Sequence, residues 1–396
     1  MAARSVCCPK RFSSLLLSPK VTPFAPAYFS TQIGCDSPVL VRDFIHAALY
    51  DSKHGYFSSR SGSVGVLERS IKFNQLEGRK AYMQHLDKIY KQSDISWFTP
   101  VELFKPWYAH GIAEAIMRTT NLSVPLKIYE IGGGSGTCAK GVMDYIKLNA
   151  PTRVYDNMSY ISVEISPSLA KKQQETVGEV NSHLAKFRVE CRDAADPNGW
   201  GIEQQPCWVI MLELLDNLPH DLIFSENQVS PWMEVWVEKQ HDRNVTLGLV
   251  KACRHPSKCG RFIRKAHFYL TKESKLDLHD GICSSLTFLL IHLQKDGNSS
   301  DYNTYLDAKG DADIFFPTDF WLLERMDHYC SRQLKPNQHK SLKKGKKRRT
   351  ITLDTSSFME EFGLPSKTRT KDGYNPLLDD FNNTKFYLSV PTHNVK

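Results

Sequence analysis

No stretch of this sequence is apolar enough to cross a bilayer. The longest candidate, Ile282 to Leu293, is interrupted by Ser284, Ser285, Thr287 and His292, whereas a spanning helix needs about 20 mainly apolar residues. Paired cysteines are also missing. The ten cysteines fall at irregular spacings with no C-x-x-C. Cys253 and Cys259 enclose His255, but a structural zinc needs about four ligands and no second pair is near. The thiols therefore read as reduced, which excludes a disulfide scaffold.

Acidic residues are absent from two segments. The first acid of the chain is Asp36, and residues 1–35 carry Arg4, Lys10, Arg11 and Lys20. Residues 335–349 carry eight Lys or Arg and again no acid. The formal charge of +8 comes from these two stretches, leaving a body near −4. A basic globule that grips nucleic acid is thereby disfavoured. The leader is rich in Ser and basic residues, the composition of an organelle transit peptide over residues 1–30, with "AYFST" at Ala27 to Thr31 as a cleavage-like site. Mitochondrial import is the reading; such a leader also allows plastid import. The run "KSLKKGKKRR" reads as a solvated loop insertion, with nuclear import or anion binding as the alternative.

What remains has the makeup of a globular protein, with 41% hydrophobic and 24% charged residues. Its 396 residues allow one large domain with insertions, or two smaller ones. The first part, residues 36–120, reads as helical. "VRDFIHAALY" sets Phe44, Ala47, Ala48 and Leu49 on one face, and "AYMQHLDKIY" and "PWYAHGIAEAIMRTT" continue as helices. Strands and helices then alternate over residues 121–396. Leu126 to Glu130 is a short strand, and Ala139, Val142, Met143 and Ile146 form a helix face. "MSYISVEIS", "KFRVECRD" and "CWVIMLELL" are further strands, and Ser166-Pro167 is an N-cap followed by a first-turn proline. This βαβαβ order implies an α/β fold with a parallel sheet, Rossmann-like, preceded by a helical extension and carrying inserted segments. "MEVWVE" and "TKFYLSV" are later strands, the last an antiparallel edge.

The turn after the first strand carries Gly132, Gly134 and Gly136, preceded by Glu130. Ligands of doubly wound sheets bind beyond the carboxyl ends of strands, where strand order reverses. Glycines there let the backbone turn sharply and approach a ligand, and helix N–H groups face it. The spacing E-x-G-x-G-x-G differs from the dinucleotide G-x-G-x-x-G by its leading acid. A pyrophosphate gains nothing from a carboxylate, whereas the ammonium of S-adenosylmethionine does. Glu164 ends the second strand, where it can accept from ribose hydroxyls. Asp193 follows the third, where the adenine amino group is held in class I methyltransferases; it reads otherwise as a turn residue before Asp196-Pro197.

The ordered blocks "FIHAALYDSKHGYF", "FTPVELF", "YEIGGGSGT", "SVEISPSLAKKQ" and "ELLDNLP" resemble the MidA family of mitochondrial and bacterial class I methyltransferase-like proteins. The resemblance runs from about Val41 to Trp236 and resumes at Gly310 to Leu323 and near the C-terminus. It implies an S-adenosylmethionine-dependent enzyme of the mitochondrial matrix. Animal members assist complex I assembly and methylate an arginine of a core subunit, so a complex I subunit or assembly intermediate is the implied partner and symmetric dimethylation the implied product. The chain departs from the family pattern at Leu212, which precedes Glu213 where an Asn is usual, and at Pro317, where a His is usual. Leu276 to Gln294 is not recognisable, and residues 58–92 look like an insertion.

Arginine is a poor nucleophile because its guanidinium stays protonated. Carboxylates that bind its fork can localise a lone pair on one nitrogen. "LELLDNLPHD" offers Glu213, Asp216 and Asp221 after the fourth strand. Glu213 and Asp216 are the residues assigned to guanidinium orientation, assisted by Asn217 and His220; Asp216 reads otherwise as the cap of the following turn. Glu102 either closes over the cofactor or caps the helix behind Pro100. Competing readings are a methyltransferase of a ribosomal protein or RNA, and an assembly chaperone that kept the fold without turnover.

Overall fold

The structure, a computed structural model, describes residues 39–391 apart from 60–63, 94, 96, 202, 204, 222, 225–232, 235, 238–288, 294–298, 302–304, 309 and 334–347. The leader, the Cys253–Cys259 pair, residues 276–288 and most of the basic run lie outside the described residues.

The amphipathic opening folds as expected. Helix α1 (Val41–Tyr50) buries Val41, Phe44, Ile45, Ala47, Ala48 and Leu49. These pack with Tyr305, Leu306, Ala312 and Ile314 from far along the chain, so α1 is fixed by tertiary contact. Helix α2 (Arg79–Gln92) follows. Residues 58–92, which read as an insertion, are not peripheral: Leu67, Ile71, Phe73 and Tyr82 join the main hydrophobic core. Helix α3 (Pro100–Leu103) is short, with Thr99 capping it and Pro100 in its first turn. Helix α4 (Trp107–Thr119) completes this region.

The alternating part builds the site. Strand β1 (Lys127–Ile131) leads through the glycine turn into helix α5 (Thr137–Asn149). Strand β2 (Ser159–Glu164) leads into helix α6 (Pro167–Gly178), capped by Ser166 as its sequence requires. Strands β3 (Phe187–Cys191) and β4 (Trp208–Met211) follow. The four strands are parallel, in the order β3-β2-β1-β4. Glu130 of β1 stands level with Ser162 of β2 and Ile210 of β4. The chain thus steps outward from β1 to β3, then returns to the other side of β1. That reversal opens a crevice at the carboxyl ends of β1 and β4.

Later strands stay out of this sheet. Strand β5 (Leu289–Leu293) lies between β6 (Ser299–Asp301) and β7 (Ala312–Phe315), antiparallel to both. Helix α7 (Phe320–Gln333) comes next. Strand β8 (Arg348–Asp354) pairs antiparallel with β9 (Lys385–Pro391), with helix α8 (Thr355–Phe362) between them. "TKFYLSV" is therefore antiparallel as expected, but its partner is β8 in a sheet of its own. The reason is packing. Phe386 of β9 stacks on Phe358 of α8 at 3.8 Å and tilts against Tyr108 of α4 at 5.6 Å, which holds this unit against the helices rather than at the sheet edge. "MEVWVE" likewise makes two short antiparallel pairings, Met233–Glu234 with Ile223–Phe224 and Trp236–Val237 with Val39–Leu40. No helix among the described residues is long and apolar enough to cross a membrane.

The N-terminal helices meet the sheet region through α4 and α5. A Cβ on Gly141 would lie 2.6 Å from Cβ of Ala109, so the two backbones touch where neither can carry a larger side chain. Gly141→Val should force the helices apart and lower unfolding free energy by about 1–3 kcal/mol, measured by urea denaturation. An unchanged midpoint would mean this contact is not tight.

Candidate active site

The cleft lies where the strand order reverses. Its walls include Glu130, the glycine turn, Glu164, Asp193, and Glu213 to Leu214 after β4. The helical N-terminal region closes it with Tyr50, Phe57, Val64, Trp97 and Thr99.

The turn itself is dictated from two sides. Gly132, Gly134 and Gly136 all have positive φ, at 70°, 53° and 83°, which side chains with a Cβ adopt only under strain. Above Gly134 the space is open, with only Val64 near, at 3.7 Å from an added Cβ. Below, the turn rests on α6. A Cβ on Gly136 would come within 2.9 Å of the Gln173 Cα, and one on Gly133 within 2.9 Å of the Ser162 hydroxyl. Gly133 therefore matters as much as the three glycines picked out by spacing; its signal in the sequence was the unbroken Gly132-Gly133-Gly134.

Glu130 is 3% exposed. Tyr160 donates to its Oε2 at 2.9 Å. Burial, opposed by the Tyr160 and Cys138 hydrogen bonds, pushes its pKa up to about 7. Glu164 is similarly buried. It accepts from the Ser166 N–H at 2.9 Å and from the Gln173 amide at 3.0 Å. Burial still raises its pKa to about 6. Asp193 reaches the cleft wall while accepting from the Ala195 N–H at 2.7 Å, so it both shapes its turn and faces the ligand space.

After β4 the backbone makes a rare move. Glu213 is the non-glycine residue with positive φ among the described residues, at 49°. Such strain persists only where the surroundings enforce it, and it clusters at functional sites. The strained turn places Glu213 on the cleft wall, where its side chain is open to solvent. The surrounding protein first, then Asp216, pushes its pKa up to about 7. Asp216 is half-buried behind it and is not among the cleft-lining residues. Its carboxylate accepts from its own backbone N–H and that of Asn217, which is the capping geometry. Burial nonetheless raises its pKa.

Two residues not singled out by sequence reasoning support this wall. Asp313 of β7 is fully buried. Its Oδ1 accepts from the Asn217 amide at 2.8 Å, and its Oδ2 has no partner. Burial first, then Asp216, pushes its pKa well above the usual Asp value. Tyr50 of α1 donates to the Asn217 carbonyl at 3.0 Å. The available signal for Asp313 was its place in the block Asp313-Ile314. Glu102, in contrast, does not line the cleft. It is fully buried, accepts from the Leu67 N–H at 2.7 Å, pairs with Lys105 at 2.5 Å, and accepts from Ser135 and Thr137 of the glycine turn. It ties the N-terminal region to that turn instead of closing over a ligand. His220 bonds the Leu218 carbonyl and stacks on Phe316, and Asp221 pairs with Arg42 at 2.9 Å.

Glu130, Glu164, Asp193 and Glu213 line the cleft against one cation, Arg192. That guanidinium is held by Glu190 at 3.0 Å and lies over the Trp200 ring. The cleft therefore offers negative charge with little compensation, and buried carboxylates with raised pKa values gain most from a cation. Among the described residues no cluster of His, Cys, Asp or Glu is arranged to hold a metal ion.

A family described as "Putative S-adenosyl-L-methionine-dependent methyltransferase" matches residues 109–284. A fission yeast (Schizosaccharomyces pombe) protein, "Protein arginine methyltransferase NDUFAF7 homolog, mitochondrial", is 23% identical over 219 residues. That match covers 53% of this chain and 46% of the relative, less than half of its length. Among solved structures, a "likely methyl transferase" from Burkholderia thailandensis bound to S-adenosyl-homocysteine superposes with a TM-score of 0.53 at 14% identity. It covers 82% of this chain and 77% of that one, and speaks for the fold alone. Together with the parallel sheet, these comparisons show a chain of class I methyltransferase fold that is similar to S-adenosylmethionine-dependent methyltransferases. They agree with S-adenosylmethionine as the cofactor expected from the glycine turn.

The charge imbalance has a measurable consequence. Glu130 binds its proton more tightly folded, at about 7, than unfolded, at about 4.5. Between those values the folded state holds more protons, so this group removes stability as pH rises through the window. Glu130→Gln should raise the unfolding free energy of the ligand-free protein at pH 8 by on the order of 2–3 kcal/mol. The gain should shrink as pH falls from 7 toward 4.5. Equal stability of the two proteins at pH 8, by chemical denaturation, would contradict the raised value.

Proposed function

We propose that the protein is an S-adenosylmethionine-dependent protein-arginine methyltransferase of mitochondria that acts on a complex I subunit or assembly intermediate. The observation that carries this reading is Glu213: a carboxylate held in a strained backbone conformation at the mouth of the cleft. The fit to the cofactor rests on this chain's own residues. The positive-φ glycine turn leaves open space where a ligand can lie. Glu130 and Glu164 stand ready for an ammonium and for hydroxyls.

When bound, S-adenosylmethionine supplies an electrophilic methyl group on a sulfonium. The protein's part is to bring a nucleophile into line and to remove charge from it. Glu213 receives the guanidinium and draws its positive charge toward one edge, leaving electron density on the opposite nitrogen. Its raised pKa of about 7 lets it take up the proton that methylation releases near neutral pH. Asp216 holds the turn behind it, and Asn217, bonded to Asp313 and Tyr50, fixes the wall. Tyr50, Phe57 and Trp97 from the helical region keep water from the cleft. The assignment to arginine and to complex I draws on the fission yeast relative's name and on the family resemblance. The mitochondrial assignment draws on the same name and on the basic, Ser-rich leader.

The test is transfer of labelled methyl groups to purified complex I subcomplexes and to their arginine-to-lysine variants. Glu213→Gln should lower turnover by about 100-fold or more while leaving cofactor affinity within a few fold. Gly134→Val should abolish cofactor binding, because its φ of 53° resists a branched side chain and its substituents enter the cleft. Assembly support that survives Gly134→Val would favour a scaffold over an enzyme.

A further inference from the structure

Gln173 is fully buried on α6 and is not among the residues lining the cleft. Its side-chain nitrogen nevertheless makes two bonds at the cleft's floor. One runs to Oε2 of Glu164 at 3.0 Å, the other to the carbonyl of Gly134 at 3.1 Å. Its oxygen has no partner. The main chain at Gln173 also comes so near the turn that Gly136 can carry no Cβ. An unsatisfied buried oxygen costs stability, so a purely structural residue would serve better as an apolar one. The amide is retained where its two protons join the end of β2 to the turn after β1.

We propose that Gln173 is a positioning residue of the ligand site, which locks the Glu164 carboxylate and the glycine turn in one fixed relation. It touches no ligand. It acts through Glu164, whose Oε1 is bound to the Ser166 N–H, whose carboxylate the Ile165 and Gly134 N–H groups also hold, and whose Oε2 takes its side-chain donor from Gln173. The proposal rests on the reading of the cleft as the S-adenosylmethionine site. It adds that affinity there depends on a side chain outside it. The donor also keeps charge on Glu164. The groups facing that carboxylate are Glu130 from β1, Tyr50 from α1, and Asp193 with Arg192 beyond β3. Glu130 is coupled to it, each disfavouring the other's charge, and Arg192 is engaged by Glu190. The Gln173 bond lowers the Glu164 pKa against that background.

Two variants of the full chain separate the possibilities. Gln173→Met keeps length and removes both bonds. Gln173→Glu keeps shape and replaces the donor by an acid. The Glu164 carboxyl is followed by carbon-13 NMR in ligand-free protein labelled at glutamate, with Glu164→Gln for assignment. S-adenosylmethionine binding is followed by calorimetry from pH 5.5 to 8, and stability by thermal unfolding. In Gln173→Met the Glu164 midpoint should rise from about 6 by about one pH unit, a tenfold change in proton affinity. The part of the acidic limb of cofactor affinity that belongs to Glu164 should move with it, so affinity should fall about twofold at pH 7 and by nearly tenfold at pH 5.5. Gln173→Glu should bind more weakly still at pH 8. A lower melting temperature with an unmoved Glu164 midpoint and unmoved affinity profile in either folded variant would overturn the proposal. Absence of binding by the wild type would sink the cofactor reading, whereas the ligand-free titration would still decide whether Gln173 governs Glu164.

Discussion

Between helix α6 and the ligand cleft there is room for a polypeptide backbone and for nothing else. That constraint organises the molecule. Gly133 and Gly136 lie against Ser162 and Gln173, while Gly132 and Gly134 take conformations that open the other side. The turn can be this thin only because α6 is brought down onto it, and α6 starts where it does because Ser166 and Pro167 begin a helix directly after β2. The parallel sheet then sets β1, β2 and β4 side by side, so that Glu130, Glu164 and Glu213 are delivered to one crevice by strand order rather than by contact among themselves.

The second organising feature is charge. A buried carboxylate normally has a cation or several donors. Here buried Glu130, and Glu213 on the cleft wall, are left with raised pKa values, as is buried Asp313. The arrangement costs stability near neutral pH, which a site can carry if a cation fills it in use. The ion pair of fully buried Glu102 with Lys105 serves a different end. It joins the N-terminal region to Ser135 and Thr137, so that the region closing the cleft and the turn forming its floor are tied together.

Much of this was legible in the sequence because it is local. The helix faces of α1 and α5, the cap at Ser166 and the acids at strand ends each follow from periodicity or from turn chemistry within a few residues. What stayed hidden depends on distant partners. Gln173 carries no motif, and its role appears only when α6 is laid on the turn. Asp313 lies about a hundred residues from Glu213 and meets it through Asn217. Residues 58–92 looked inserted against the family pattern, yet Phe73 and Tyr82 reach the core. The last strand was read correctly as antiparallel, but its partner β8 sits beyond the basic run and could not be chosen by pattern alone.

The measurement that bears most directly on this account is calorimetric titration of the full chain with S-adenosylmethionine, with NAD as the control and Glu164→Ala beside the wild type. The account predicts binding of the methyl donor that weakens as pH drops below about 7, where Glu130 takes up its proton. It also predicts loss of binding in the variant and none for NAD. Equal binding of NAD, or binding of the methyl donor indifferent to both Glu164 and pH, would contradict it.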